Sequence, residues 1–281
     1  MTSETAIVFA RGEEQLVGIL HEPTSAPHEV GVLVVVGGPQ YRAGSHRQFV
    51  LLARELCRAG YRVLRFDYTG MGDSTGTPRT FESVDEDIRV AVDTLVAHEP
   101  RLRRVVIFGL CDAASAALMY CCSDSRIAGL ALANPWVRTD SGAAQTVLKH
   151  YYGTRLLQRS FWTKLFTGEF RALQSLRSLF GSVRSAAAAR AGSGPPATHF
   201  VQRMLQGLRQ FRPPVLIELS DRDLVAREFE DLCKASSEWA RCSGAAHVRT
   251  IHLRDADHTF STSRALNESM EHIRNWLQTI R

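Results

Sequence analysis

Residues 30–36 read Val-Gly-Val-Leu-Val-Val-Val, a largely β-branched stretch without a polar position. A strand with one face in water alternates apolar and polar residues. A strand without that alternation is covered on both faces, as in parallel sheets whose crossover helices lie above and below. The run is also far short of the roughly 20 apolar residues that a membrane-spanning helix needs. The rest of the chain fits the same plan. Ile7–Ala10 and Leu16–His21 read as a leading hairpin turned at Arg11-Gly12-Glu13-Glu14. Helices are expected over Arg47–Ala59, closed by Gly60, and over Val84–His98, where Val84, Ile88, Val92 and Leu95 recur at helical spacing. Strands are expected at Arg62–Asp67, Arg104–Phe108, Gly129–Asn134, Val215–Ser220 and Val248–Leu253. Further helices are expected at Ala113–Cys121, Ala226–Arg241 and Ser263–Thr279. Strands alternating with helices give a mainly parallel sheet covered on both faces, with its active site at the carboxyl ends of the strands.

Charge divides the 281 residues unevenly. Between Arg138 and Arg212 there are 12 basic residues and two acids, Asp140 and Glu169, a local net of +10. The remainder holds 22 basic and 27 acidic residues, net −5. A basic segment within an acidic body points to an insertion with its own surface role. Its stretch 182–198, rich in Ala, Ser, Gly and Pro, is expected to be a mobile loop. The expected organisation is therefore a core of 1–137 with 213–281, and a helical cap over 138–212. The start of the chain has neither a basic nor an apolar stretch, so no signal peptide and a cytoplasmic location are expected. The six Cys then read as reduced thiols, and without a CxxC pair no metal site is expected. No cofactor motif is apparent. Nucleic acid binding is not expected either, since no recognised module accompanies the basic excess.

The chemistry is concentrated after the Arg104–Phe108 strand, in Gly109-Leu110-Cys111-Asp112-Ala113. A sharp strand-to-helix turn with a strained residue at its tip leaves room only for small residues two before and two after. Cys111 would stand at that tip beside the positive end of the next helix, which favours its thiolate. The alternative is a buried structural thiol, which suits Cys57 and Cys121 better.

The turn Asp67-Tyr68-Thr69-Gly70-Met71-Gly72-Asp73-Ser74-Thr75-Gly76 matches the D-x-x-G-x-G-x-S-x-G turn common in α/β hydrolases. With the elbow at Cys111, the chain resembles an α/β-hydrolase-fold protein along most of its length. That implies a mainly parallel eight-stranded sheet, helices on both faces and an inserted helical cap. More narrowly, the segments Gly37–Arg47, Gly109–Ala116, Asn134–Thr139 and Asp255–Phe260 resemble the exosortase A system-associated hydrolase 1 family. That family belongs to bacteria with PEP-CTERM protein sorting and exopolysaccharide loci. Gln40 and Trp136, within those segments, become candidates for the substrate-binding side of the site.

The resemblance implies a nucleophile, an acid and a histidine in that chain order. His258 occupies the loop after the last strand, whereas His252 falls inside a strand and His272 on a helix face. The acid is Asp221 or Asp223, both after the Val215–Ser220 strand, and the family spacing favours Asp223. The other use of Asp at such a place is to cap a turn or helix. Two backbone N–H groups should meet the oxyanion. Asp112, after the nucleophile, supplies one. In Val36-Gly37-Gly38-Pro39 the proline has no N–H, which leaves Gly38 as the second.

A Cys nucleophile implies an acyl-thioenzyme and favours esters, lactones and thioesters over unactivated amides. The basic cap would suit an anionic or carrier-linked acyl group, and a peripheral membrane contact reads equally well from its mixture of Arg, Lys and aromatic residues. Acyl transfer to a carbohydrate or lipid acceptor is the competing reaction. A non-catalytic scaffold of the exopolysaccharide machinery is the competing role. The oligomeric state is not indicated.

Overall fold

The structure is a computed structural model that describes residues 3–24, 27–37, 40–137 and 198–280. Eight strands form one sheet in the order β1-β2-β4-β3-β5-β6-β7-β8. They are β1 (Ser3–Arg11), β2 (Glu14–Glu22), β3 (Val30–Val35), β4 (Val63–Asp67), β5 (Arg104–Leu110), β6 (Ile127–Ala133), β7 (Val215–Ser220) and β8 (Val248–Leu253). The hairpin β1–β2 and the pair β2–β4 are antiparallel, and every other pairing is parallel. All six residues of β3 are buried, as its unbroken run of apolar side chains requires.

Alternate residues of the central strands feed two cores. Leu33, Leu64, Ile107, Leu132 and Ile217 point to one face. There they meet α2 (Asp85–Ala97), α3 (Asp112–Tyr120) and α4 (Thr198–Gln210). Val32, Val34, Val63, Phe108 and Leu216 point to the other, packing on α1 (Gln48–Arg58) and α7 (Ser263–Leu277). Helix α1 starts one residue later than its hydrophobic pattern alone implies, because Arg47 is left-handed at φ 58° and cannot be its first turn.

Two further boundaries differ from expectation. The single helix expected over Ala226–Arg241 is two, α5 (Leu224–Ala235) and α6 (Ser237–Ser243). Ser236 is extended between them and its hydroxyl accepts the Trp239 N–H, so a capping serine ends one helix and begins the next. The chain divides into two units, residues 1–137 with 200–281 and residues 138–199. The expected cap ran on to 212, but from Phe200 onward α4 lies in the first unit. Phe200, Met204 and Leu208 recur along one face of that helix and, with Phe211 just beyond it, are buried in the α2–α3 core. Residues 138–197 fall outside the described residues, and with them the expected cap and nearly all of its 182–198 loop. Everything below concerns the first unit.

The topology itself selects a place for chemistry. From β3 the chain crosses to β4, and from β5 it crosses to β6 on the opposite side, although β3 and β5 are neighbours with Val35 beside Gly109. Connections diverging from adjacent strands open a crevice at their carboxyl ends. Gly37 and Gln40 follow one of those ends, and Cys111 follows the other.

Candidate active site

The elbow forms as its small residues demand. Cys111 has φ 63° and ψ −124°, outside the regions open to L-residues without strain. A side chain at Gly109 would lie 2.6 Å from the Ala113 carbonyl carbon and oxygen, so the turn closes only over glycine. The strained residue is held on both sides of its peptide. The Cys111 N–H donates to the Ala133 carbonyl at 2.9 Å. The Cys111 carbonyl accepts from Ala114 at 3.1 Å, Ser115 at 3.3 Å and Trp136 at 3.2 Å. Cys111 is a free, partly buried thiol, whereas Cys57 and Cys121 are buried in the core.

His258 lies in the loop after β8. Its Nδ1 is 2.7 Å from Asp223 Oδ2, and the Cys111 side chain is near enough to the same imidazole to stabilise its charged form. The Asp223 hydrogen bond, and next the interaction with Cys111, lift the His258 pKa from 6.5 to about 10 against the opposing effect of burial. The imidazolium is the favoured form at neutral pH, with a carboxylate on one side and a thiol on the other. Of the two acids, Asp223 is the one placed on the imidazole. Asp221 has its carbonyl on Arg227 Nη2, 3.0 Å away, and its N–H on the Leu253 carbonyl. Asp223 is also the N-cap of α5, with Oδ1 accepting the Val225 N–H at 3.1 Å.

The remaining predicted site residues surround the elbow unevenly. Asp112 opens α3, and Gly37 at the end of β3 packs so closely on it that a side chain at Gly37 would run into Asp112 Oδ1. Gly38 falls outside the described residues. Gln40 turns back toward β3, its N–H on the Gly37 carbonyl at 3.4 Å and its Nε2 on Ser45 Oγ at 3.2 Å. Trp136 reaches the elbow through its backbone. Its N–H is on Cys111, and its carbonyl accepts the Ser115 hydroxyl at 2.6 Å.

The glycine-rich turn after β4 holds the loop that precedes α1. Asp67, fully buried, accepts the Arg42 backbone N–H at 2.6 Å and the Asp73 N–H at 3.1 Å, and pairs with the Arg42 guanidinium. Arg42 also reaches Asp73 at 2.6 Å, and Arg65 Nη1 holds the Arg42 carbonyl at 2.8 Å. The loop that follows Gly37 is thereby tied to β4. In the sequence, Asp67 stands out only as the first residue of the glycine-rich turn signature. The spacing of the glycines gave no sign that its partner would be Arg42, from a loop far away in sequence. Asn134 escaped for the same reason, although it opens the Asn-Pro-Trp segment. Among the described residues no group of three His, Cys, Asp or Glu is placed to hold a metal ion, and no helix is long and apolar enough to cross a membrane.

A mainly parallel sheet with a strained nucleophile elbow after its central strand, and a carboxylate–histidine pair from the loops after β7 and β8, defines an α/β-hydrolase fold. The model of the alpha/beta hydrolase family matches residues 32–268, and the chain belongs to that family. Among solved structures it resembles the esterase Pf2001 of Pyrococcus furiosus, with TM-score 0.67 and 17% identity over 99% of this chain and 91% of that one. It also resembles a thermostable carboxyl esterase of Bacillus coagulans solved with glycerol, with TM-score 0.64 and 18% identity over 99% and 98%. A third similar structure is Est1E of Butyrivibrio proteoclasticus with bound ferulic acid, at TM-score 0.63 and 13% identity over 98% and 99%. Among curated proteins, the lysophosphatidylserine lipase ABHD12 of Mus musculus is 39% identical over 69 residues. That match spans 25% of this chain and only 16% of the relative.

Proposed function

We propose that the protein hydrolyses ester or thioester bonds through a covalent intermediate on Cys111. The observation that carries this reading is the chain of contacts from the strained Cys111 through His258 to Asp223. The Cys111 thiolate attacks the acyl carbon, and the carbonyl π pair moves to oxygen. The Asp112 N–H meets the oxyanion, a donor worth ~3 kcal/mol in such sites, and the sequence assigns the second donor to Gly38. Collapse breaks the C–O or C–S bond, and the His258 imidazolium hands its proton to the leaving alkoxide or thiolate. Neutral His258 then takes a proton from water as the hydroxide attacks the thioester. The second collapse releases the acid and restores the Cys111 thiolate. Asp223 keeps the imidazole in one orientation and stabilises its cation.

A thiolate is a good leaving group as well as a strong nucleophile, so the acyl–enzyme forms readily from thioesters and activated esters. The basic segment 138–212 favours anionic or carrier-linked acyl groups. The local similarity to a lysophosphatidylserine lipase agrees with an ester of an anionic lipid. The resemblance of its motif segments to the exosortase-associated family supports an exopolysaccharide or protein-sorting setting. The test is intact-mass analysis after exposure to p-nitrophenyl esters and acyl thioesters. An acyl adduct on Cys111 that disappears in Cys111→Ala, together with turnover, is expected. Undiminished turnover in Cys111→Ala sinks the reading. Product analysis with added carbohydrate or lipid acceptors distinguishes transfer from hydrolysis.

A further inference from the structure

Asn134 joins the three segments that carry the site. It follows β6, is fully buried and has φ 46°, a left-handed conformation that asparagine tolerates better than most residues. Its backbone N–H donates to the Glu218 carbonyl of β7 at 2.9 Å. Its side chain uses both ends of the amide. Oδ1 accepts the Ser220 N–H at 2.8 Å, while Nδ2 donates to Ser220 Oγ at 3.0 Å and to the His258 carbonyl at 3.3 Å. The Ser220 N–H can only donate and the His258 carbonyl can only accept, so the amide orientation is fixed by its partners.

Each contact leads to a different member of the site. Ser220 is the last residue of β7 and starts the turn to Asp223, and the Asp223 N–H donates back to its carbonyl at 3.2 Å. On the other side of Asn134, Ala133 accepts the Cys111 N–H and Trp136 donates to the Cys111 carbonyl. The loop that presents His258 begins after β8, an edge strand with Arg249, Thr250 and His252 exposed. Asn134 Nδ2 is the side-chain donor on the His258 backbone itself.

We propose that Asn134 is a positioning residue that fixes the His258 backbone, and through it the imidazole, between Asp223 and Cys111. This rests on Cys111 being the nucleophile. No smaller or purely accepting side chain can replace it: glycine keeps the left-handed backbone but loses all three side-chain bonds, and aspartate can accept the Ser220 N–H and O–H but cannot donate to the His258 carbonyl. Once the Nδ2 donor is gone, the His258 loop is free to shift. The imidazole then no longer meets the Cys111 side chain, and the thiol loses its neighbouring cation.

The experiment compares the full chain with Asn134→Gly and Asn134→Asp. Iodoacetamide alkylation of Cys111 is followed by peptide mass from pH 5 to 9.5, alongside kcat and KM for p-nitrophenyl acetate and the unfolding midpoint. In the unchanged protein, Cys111 should alkylate faster than the exposed free thiol Cys122. Both variants are expected to alkylate Cys111 about 10- to 100-fold more slowly at pH 6.5, and kcat should fall by more than KM changes. The added charge of Asn134→Asp would by itself favour the imidazolium, so slower alkylation there reports lost geometry. If Asn134→Gly does not fold, Asn134→Asp carries the test. Folded variants with the unchanged alkylation rate and pH profile overturn the proposal, even if their unfolding midpoints fall. Failure of the underlying reading has another signature, namely ordinary alkylation of Cys111 in the unchanged protein and full turnover by Cys111→Ala.

Discussion

Asp223 divides its two carboxylate oxygens between His258 and Val225: Oδ2 is 2.7 Å from His258 Nδ1, and Oδ1 accepts the Val225 N–H at 3.1 Å. Helix-capping and orientation of the histidine are alternative readings of an aspartate at this point in the sequence, and here one residue does both. Its seat on the first turn of α5 locks the carboxylate, which in turn limits the imidazole. An amide has only one accepting oxygen, so Asp223→Asn cannot serve both donors. With Oδ1 on Val225, the NH2 group faces His258 Nδ1 and favours the wrong tautomer. The expected result is an intact cap and a loss of about 100-fold or more in kcat. Asp223→Ala should lose activity similarly and a further ~1 kcal/mol of stability from the missing cap. Paired measurements of ester turnover and urea unfolding separate the two roles.

The same pair makes folding depend on pH in a definite direction. Folding raises the His258 pKa from 6.5 to about 10, chiefly through Asp223 and then Cys111. The folded chain thus holds this proton more tightly than the unfolded chain. The stabilisation is complete below about pH 6.5 and is lost as pH rises through about 10. Urea midpoints of the unchanged protein and His258→Gln should therefore lie furthest apart near pH 6 and converge toward pH 10. A gap that widens with pH contradicts the assignment.

What the sequence made visible follows from which features were local. β7 matches its expected bounds because Pro213-Pro214 precede it and a polar turn follows it. The elbow was legible because Gly109 and Ala113 are required by atoms within the same few residues. The break at Ser236 was not, since Lys-Ala-Ser-Ser continues a polar helix face as readily as it caps a new helix. Asp221 and Asp223 could not be separated by composition, because the choice depends on where the loop after β8 brings His258. Asn134, Arg42 and Asp67 act through partners from distant segments, and no period or motif encodes those pairings.

Arg42 offers a test of the loop between Gly37 and α1. It pairs with buried Asp67 and with Asp73, and its own carbonyl is held by Arg65. Arg42→Ala leaves the Asp67 carboxylate buried with backbone donors alone, at a cost of about 2–4 kcal/mol. It also releases the loop that connects Gly37 to α1, so kcat should fall more than KM rises. Combining it with Asp67→Asn should cost less than the sum of the single changes, because the neutral amide no longer needs the guanidinium. Additive losses in unfolding free energy would show that the two side chains are independent.

Gly37 meets the elbow at Cys111 from the β3 side, and under the proposed mechanism a methyl group there separates oxyanion stabilisation from nucleophile activation. The added carbon would run into Asp112 Oδ1 and lie 2.8 Å from the Ala113 backbone N. Asp112 must then move, and its N–H moves with it. If that N–H is an oxyanion donor, Gly37→Ala should lower kcat by about 100-fold, the equivalent of ~3 kcal/mol, with stability reduced by ~1–3 kcal/mol from overpacking. The three atoms nearest the added carbon belong to Asp112 and Ala113, not to His258 or Asp223. Alkylation of Cys111 by iodoacetamide should therefore keep its rate and pH profile while acyl turnover collapses. Equal losses in alkylation and turnover would mean that the methyl group had displaced Cys111 itself and that the two functions are not separable at this glycine.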